Sequence, residues 1–277
     1  MRTAVAPGLR RVAETDAHEG PVYVADEHAL YFTSVPRPQV DIKRLDLSTG
    51  AVRVVRADAN KANGMTLAPD GRLLVCEQGT FSAPARISLV DRATGAAETL
   101  VDNWRGRPLN SPNDVIVKRD GSVWFTDPSY GFLQGFRPAP QLPDVVYRHD
   151  PQTGETDIVA DAFDKPNGLA FSPDENVLYV GDSGETAHRI VAFDASGGRR
   201  PFAVIEPGYP DGIEVDPDGR VYSAGPAGVE VFDPDGRRVG RIDVPGAVHL
   251  AFGEDDRLYI TADTAVWSAP AIEIKEP

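Results

Sequence analysis

One pattern returns six times along the chain: a polar residue, a small or polar residue, an alternating apolar run, a turn, and a second apolar run. It opens as Glu19-Gly20-Pro21-Val22-Tyr23 followed by Leu30-Tyr31-Phe32, and returns as Asn63-Gly64-Met65-Thr66-Leu67 with Leu73-Leu74-Val75. Asn113-Asp114-Val115, Asn167-Gly168-Leu169, Asp211-Gly212-Ile213 and His249-Leu250-Ala251 begin the other four copies. Turns such as Pro69-Asp70-Gly71 and Pro217-Asp218-Gly219 separate the runs, because Pro presets φ and Gly accepts positive φ, so each copy reads as a hairpin. Further pairs follow in the gaps, for example Arg86-Ile87-Ser88-Leu89-Val90 and Ala97-Glu98-Thr99-Leu100-Val101 around Ala93-Thr94-Gly95. About four short strands recur every ~46 residues, which is the length of a propeller blade. The fold class is therefore all-β: a six-bladed β-propeller forming one domain over residues 1–277.

The ends predict how the circle closes. Ala265-Val266-Trp267-Ser268 supplies only a third strand after the sixth hairpin, while Arg10-Arg11-Val12-Ala13-Glu14 precedes the first copy. The N-terminal strand should join the C-terminal blade and remove the open edge.

Rotational repetition makes a functional prediction of its own. Equivalent positions in six blades lie at equal radius and height, so Glu19, Asn63, Asn113, Asn167, Asp211 and His249 should converge at one mouth of the central channel. Asn and Asp are also common turn residues, but carboxylates beside an enclosed channel are costly unless paired or metal-bound. No Lys or Arg stands in the ring, although Arg107 or Lys165 could reach it from loops. The oxygen-rich set suits Ca²⁺, and a set that includes His249 admits Mn²⁺, Fe²⁺ or Zn²⁺.

Charge and composition exclude other classes. With 28 Lys and Arg against 42 Asp and Glu, the net charge of −14 repels nucleic acid. No run of 18 apolar residues points to a membrane span and no apolar leader is visible at the start. The single Cys76 permits no intrachain disulfide, which fits a cytoplasmic protein. Neither a Gly-x-Ser-x-Gly elbow nor a short linear metal motif occurs, and no obligate protein partner is evident.

The stretches Leu109-Asn110-Ser111-Pro112-Asn113-Asp114-Val115, Trp124-Phe125-Thr126-Asp127-Pro128-Ser129-Tyr130-Gly131, Lys165-Pro166-Asn167-Gly168 and Pro210-Asp211-Gly212 resemble the senescence-marker-protein/gluconolactonase (regucalcin-like) family, its bacterial gluconolactonases above all. The resemblance runs from about Glu19 to Ala262. It implies one axial divalent metal on residues that correspond to Glu19, Asn167 and Asp211. Asp211 also matches the proposed general base, and Asn113 matches a residue that ligates the metal or contacts substrate, so both are catalytic candidates. Three departures bear on the substrate: Ser111-Pro112 where mammalian members have Arg-Phe, Gln78 in Cys76-Glu77-Gln78-Gly79 where bacterial members usually have His, and His249 where Asn is common.

The expected function is hydrolysis of a small lactone, a sugar aldonolactone by resemblance. The alternatives are phosphotriester or other ester hydrolysis at the same metal, or a non-catalytic calcium-binding propeller. Asn63, Asp114, Asp127, Tyr130 and His249 are the substrate-binding candidates; Asp114 and Asp127 are also alternative bases, and His249 could instead pack. The loop 131–143 could cover the mouth.

Overall fold

The computed structural model describes residues 4–5, 8–194 and 197–272; the outermost parts of the expected 1–277 domain lie outside the described residues. Six sheets follow one another in chain order, each built on four antiparallel strands, the fifth with one further strand. Their innermost strands are Ala17–Val24, Ala62–Leu67, Val115–Val117, Pro166–Phe171, Ile213–Val215 and His249–Phe252. Each innermost strand contacts the next, and the sixth contacts the first, so the sheets form a circle.

The N-terminal strand seals it. Arg10–Glu14 pairs antiparallel with Ala265–Pro270, with Arg10 opposite Ser268 and Glu14 opposite Ala265. This gives the sixth blade its outer strand. The backbone of Ala4–Val5 adds a parallel strand to the outer edge of the fifth blade, which the repeat pattern did not announce.

Among the described residues the apolar core is divided into six clusters, one at each interface between blades. The alternation of the strands explains this: one face of each twisted sheet packs on its predecessor and the other on its successor. Between blades 2 and 3, Leu74, Cys76 and Ile87 meet Val115, Phe125 and Tyr147, all buried. Between blades 3 and 4, the Trp124 ring meets Phe171 edge-on at 5.2 Å. Each fully buried side chain of this kind contributes about 1.5–3 kcal/mol. Cys76 is one of them and lies off the channel mouth, as a packing residue.

Glycine brings the inner strands close enough to form a narrow mouth. Gly64 donates its N–H to Asn113 O at 2.8 Å, and a Cβ on Gly64 would fall 2.5 Å from that oxygen. Gly168 repeats the contact with Asp211 O, where a Cβ would stand at 2.2 Å. At this position the third blade carries Asp114 instead of Gly, and its carboxylate reaches Leu169 of the fourth blade and His249 of the sixth.

Candidate active site

Five of the six ring residues, Glu19, Asn63, Asn113, Asn167 and Asp211, line one cavity of ≈ 590 Å³ at the axial mouth. Irregularities in the ladders aim three of them. The pairing of the first and second strands skips between Ala17 and Glu19 and again between Glu19 and Val22, between Ala62 and Met65, and between Pro166 and Leu169. Glu19, Asn63 and Asn167 therefore sit in bulges, which turn a side chain out of the regular pleat.

The electrostatics of this ring are unbalanced. Burial, reinforced by Asp211 against the pull of His249, pushes Glu19 up to about 8. Burial also pushes Asp211 up to about 6, although His18, His249 and an Asn167 hydrogen bond favour its ionised form. The Asn167 Nδ2 group is used within the site, donating to Tyr130 Oη at 3.5 Å. The amide oxygens are not used: Asn113 Oδ1 and Asn167 Oδ1 are buried with no hydrogen-bond partner. Two carboxylates short of positive charge beside two unpartnered carbonyl-type oxygens form a hard, all-oxygen donor set. Among the described residues no three His, Cys, Asp or Glu side chains form a metal-binding group, so amide oxygens have to complete any such site.

The remaining candidates separate into two groups. Tyr130 lines the cavity. His249, Asp114 and Asp127 do not; all three are buried and held by internal bonds. Asp114 Oδ2 accepts from Leu169 N at 3.2 Å and stands 3.2 Å from His249 Nε2, while Asp114 Oδ1 accepts from Val115 N at 2.9 Å. This pair ties the third blade to the fourth and sixth. Burial opposes protonation of His249, but Asp114, Glu19 and Glu214 outweigh it and raise its pKa to about 10. Asp127 accepts from Asn110 N and Ser111 N, both at 2.8 Å, and so shapes the turn that delivers Asn113; burial pushes it up to about 7.

The loop 131–143 forms part of the cavity wall. Tyr130–Leu133 makes one helical turn, and Gln134 and Phe136 reach the cavity. Buried Arg137 then pins the segment, donating to Leu109 O at 2.9 Å, Thr80 O at 3.0 Å and Asn110 O at 3.1 Å. Lys165 bonds Asp144 at 2.8 Å and Arg107 donates to Gln141 O at 3.4 Å. Neither lines the cavity.

Sequence reasoning missed several lining residues. His18 directly precedes Glu19 in the first copy of the repeat. It reaches the cavity with Nδ1 2.6 Å from Asp263 Oδ1. Burial works against its charge, yet Asp263 and Glu19 raise its pKa. Lys61, Ser183 and Tyr209 also line the cavity and occupy no symmetric position. For Gln78 a signal existed, the replacement of a usual His.

Comparison with known proteins agrees with this architecture. Residues 17–264 match the family model described as the SMP-30/Gluconolactonase/LRE-like region. The chain is 31% identical over 273 residues to a gluconolactonase of Zymomonas mobilis, covering 88% of this chain and 75% of the relative. It is 30% identical to the pentonolactonase XacC of Haloferax volcanii, covering 91% and 84%. A solved structure from Xanthomonas campestris, described as a gluconolactonase important in glucose secondary metabolic pathways, superposes with a TM-score of 0.87 at 36% identity, covering 96% of this chain and 91% of that one.

Proposed function

The chain belongs to the SMP-30/gluconolactonase/LRE-like family and is a lactonase-type carboxylic ester hydrolase; from that premise we propose that it opens sugar-type lactones in the axial cavity, with one divalent cation held by Glu19, Asn113, Asn167 and Asp211. The observation that carries this reading is the pair of unpartnered amide oxygens beside the buried Glu19 and half-buried Asp211 carboxylates around one cavity. Ca²⁺ suits a donor set of oxygens alone. When bound, such a cation supplies positive charge where an oxyanion develops on the lactone carbonyl.

The chain's own groups do the rest. Asp211 Oδ accepts the proton of the attacking water, and Asn167 orients that carboxylate through its amide N–H. Asn63 and Tyr130 offer an amide and a phenol to substrate hydroxyls from the cavity wall. His18, fixed by Asp263, stands ready to hold or return a proton at its Nε2. Asp114, Asp127 and His249 act as positioning residues for Asn113 and its neighbours. We place the activity in the cytoplasm on the single, buried Cys76. No helix among the described residues is long and apolar enough to cross a membrane.

The direct test combines the metal content of purified protein with rates on aldono-1,4- and 1,5-lactones and on paraoxon. Stoichiometric divalent metal with lactone turnover lost on chelation supports the reading. Lactone turnover that survives complete metal removal, or turnover of paraoxon alone, overturns it.

A further inference from the structure

Lys61 is the one Lys or Arg among the residues that line the cavity, and the chain holds it there against its backbone preference. Asp58, Asn60 and Lys61 have φ of +48°, +49° and +57°. Asn and Asp tolerate this left-handed region, but a lysine has no local hydrogen bond to offset its cost. The second blade enforces the conformation. Asn60 O accepts from Gly79 N and Lys61 O accepts from Gln78 N, both at 3.1 Å, while Asn60 Nδ2 donates to Glu77 Oε2 at 3.0 Å. Glu77 is itself held by Arg56 at 2.6 Å and Arg86 at 2.7 Å.

The ammonium group so placed is underused. Its Nζ donates to Pro38 O at 3.2 Å and lies 5.5 Å from the centre of the Phe136 ring. Lys61 makes no ion pair among the described residues, whereas Lys43 and Lys165 pair with Asp16 and Asp144. An ammonium carries three donors, so two remain for a ligand. Strain of this kind, kept by its surroundings, concentrates at ligand clamps.

We propose that Lys61 is a specificity-determining residue that receives an anionic oxygen group carried by the lactone, so that the preferred substrates are acidic sugar lactones. The inference rests on the lactonase reading of the same cavity. A charged hydrogen bond at a partly buried site is worth about tenfold or more in affinity. A molecule of net charge −14 otherwise repels such substrates.

The test uses matched pairs on the metal-loaded protein. Glucaro-1,4-lactone is compared with glucono-1,4-lactone, and 6-phosphoglucono-1,5-lactone with glucono-1,5-lactone, at 50 and 500 mM NaCl. At least one acidic member should exceed its neutral partner in kcat/KM by about tenfold or more, and the faster of the two identifies the group as carboxylate or phosphate. That ratio should fall about tenfold in Lys61→Met and return in Lys61→Arg. Added salt should lower it in the parent protein, since a local contact is being screened. A ratio equal in Lys61→Met and parent, or one that rises with salt in the parent as the global charge alone dictates, overturns the proposal. If no lactone is turned over, the catalytic reading fails by itself. Calorimetric binding of glucarate and 6-phosphogluconate against gluconate then decides the proposal: at least tenfold weaker acid binding in Lys61→Met supports it, and equal binding sinks it.

Discussion

Glu77, Asp127 and Asp182 end the second strands of blades 2, 3 and 4, while Glu19 and Asp211 stand on or just before the innermost strands of blades 1 and 5. Because the first two strands of a blade run antiparallel, both sets lie at the same end of the propeller; Glu77 pairs with Ala62 and Asp182 with Pro166, each next to a ring asparagine. The outer set is satisfied from within the chain. Glu77 is met by Arg56, Arg86, Ser88 and Asn60. Asp182 accepts from Asp164 N at 3.0 Å and Lys165 N at 2.9 Å, and pairs with Arg189 at 3.2 Å. Burial lifts Asp127 as well, but its oxygens accept from Asn110 N and Ser111 N, whereas in the ring Glu19 and Asp211 are lifted beside Asn113 Oδ1 and Asn167 Oδ1, which have nothing to accept from, around one cavity. On the reading proposed above, side chains of the same types, one strand apart, serve the fold where their partners belong to the protein and a ligand where they do not.

The largest effect expected from this contrast is on Asp211. Asp211→Ala should lower lactone turnover by on the order of 10³-fold or more and abolish calcium binding, with little change in the unfolding midpoint. Steady-state rates and calorimetry measure the first two, circular dichroism the third. A variant that unfolds early yet retains turnover would move Asp211 into the structural set.

Glu77 should behave in the opposite way. Removing one member of a buried ion network leaves its partners unpaired, so Glu77→Gln should cost about 3 kcal/mol of stability as read by urea unfolding. The sign with pH follows from its pKa. Burial disfavours the Glu77 anion, but Arg86, Ser88 and Arg56 outweigh it and hold the carboxyl below its ordinary value. Its contribution is therefore complete above the unfolded pKa and is lost as pH falls through the folded one. The parent should lose stability more steeply than Glu77→Gln on acidification below about pH 4.5. Parallel curves would mean that Glu77 is no clamp.

Asn167 tests the unpartnered oxygens more finely. Asn167→Leu removes one of them together with the amide bonded to Tyr130 and Asp211, so calcium affinity should drop about tenfold while stability changes by about 1 kcal/mol or less. A loss of several kcal/mol would show that the amide braces the ring instead of serving a ligand.

These contrasts mark how far the sequence could be read. The circle, its closure by Arg10–Glu14 and the gathering of five ring residues follow from repetition, because rotation maps one blade on the next whatever the loops do. The ring's sixth member shows the limit: His249 falls at the symmetric position but turns below the cavity to Asp114, because the third blade has a carboxylate where its neighbours have glycine. Residues that enter from loops obey no such symmetry. Arg137 depends on carbonyls up to 57 positions away, and even His18, on the first innermost strand, is set by Asp263, 245 positions away. Bonds between residues so distant in sequence follow from the closed fold and carry no local pattern.

Lys61 gives the smallest effect and the sharpest form of the contrast. Its side chain belongs to the cavity, but its backbone is held by the Glu77 network, so it joins the two sets. If its left-handed φ is maintained for the sake of the ammonium group, relieving the strain should stabilise the protein while harming selection. Asn accepts this conformation more readily than Lys, so Lys61→Asn should raise stability by about 0.5–1 kcal/mol and lower the ratio of acidic to neutral lactone turnover, an exchange typical of strained functional positions. Urea unfolding and the matched lactone pairs measure the two halves. If Lys61→Asn is instead less stable than the parent, the contacts of Nζ with Pro38 O and the Phe136 ring outweigh the backbone cost, and Lys61 is another internal clamp with no ligand of its own.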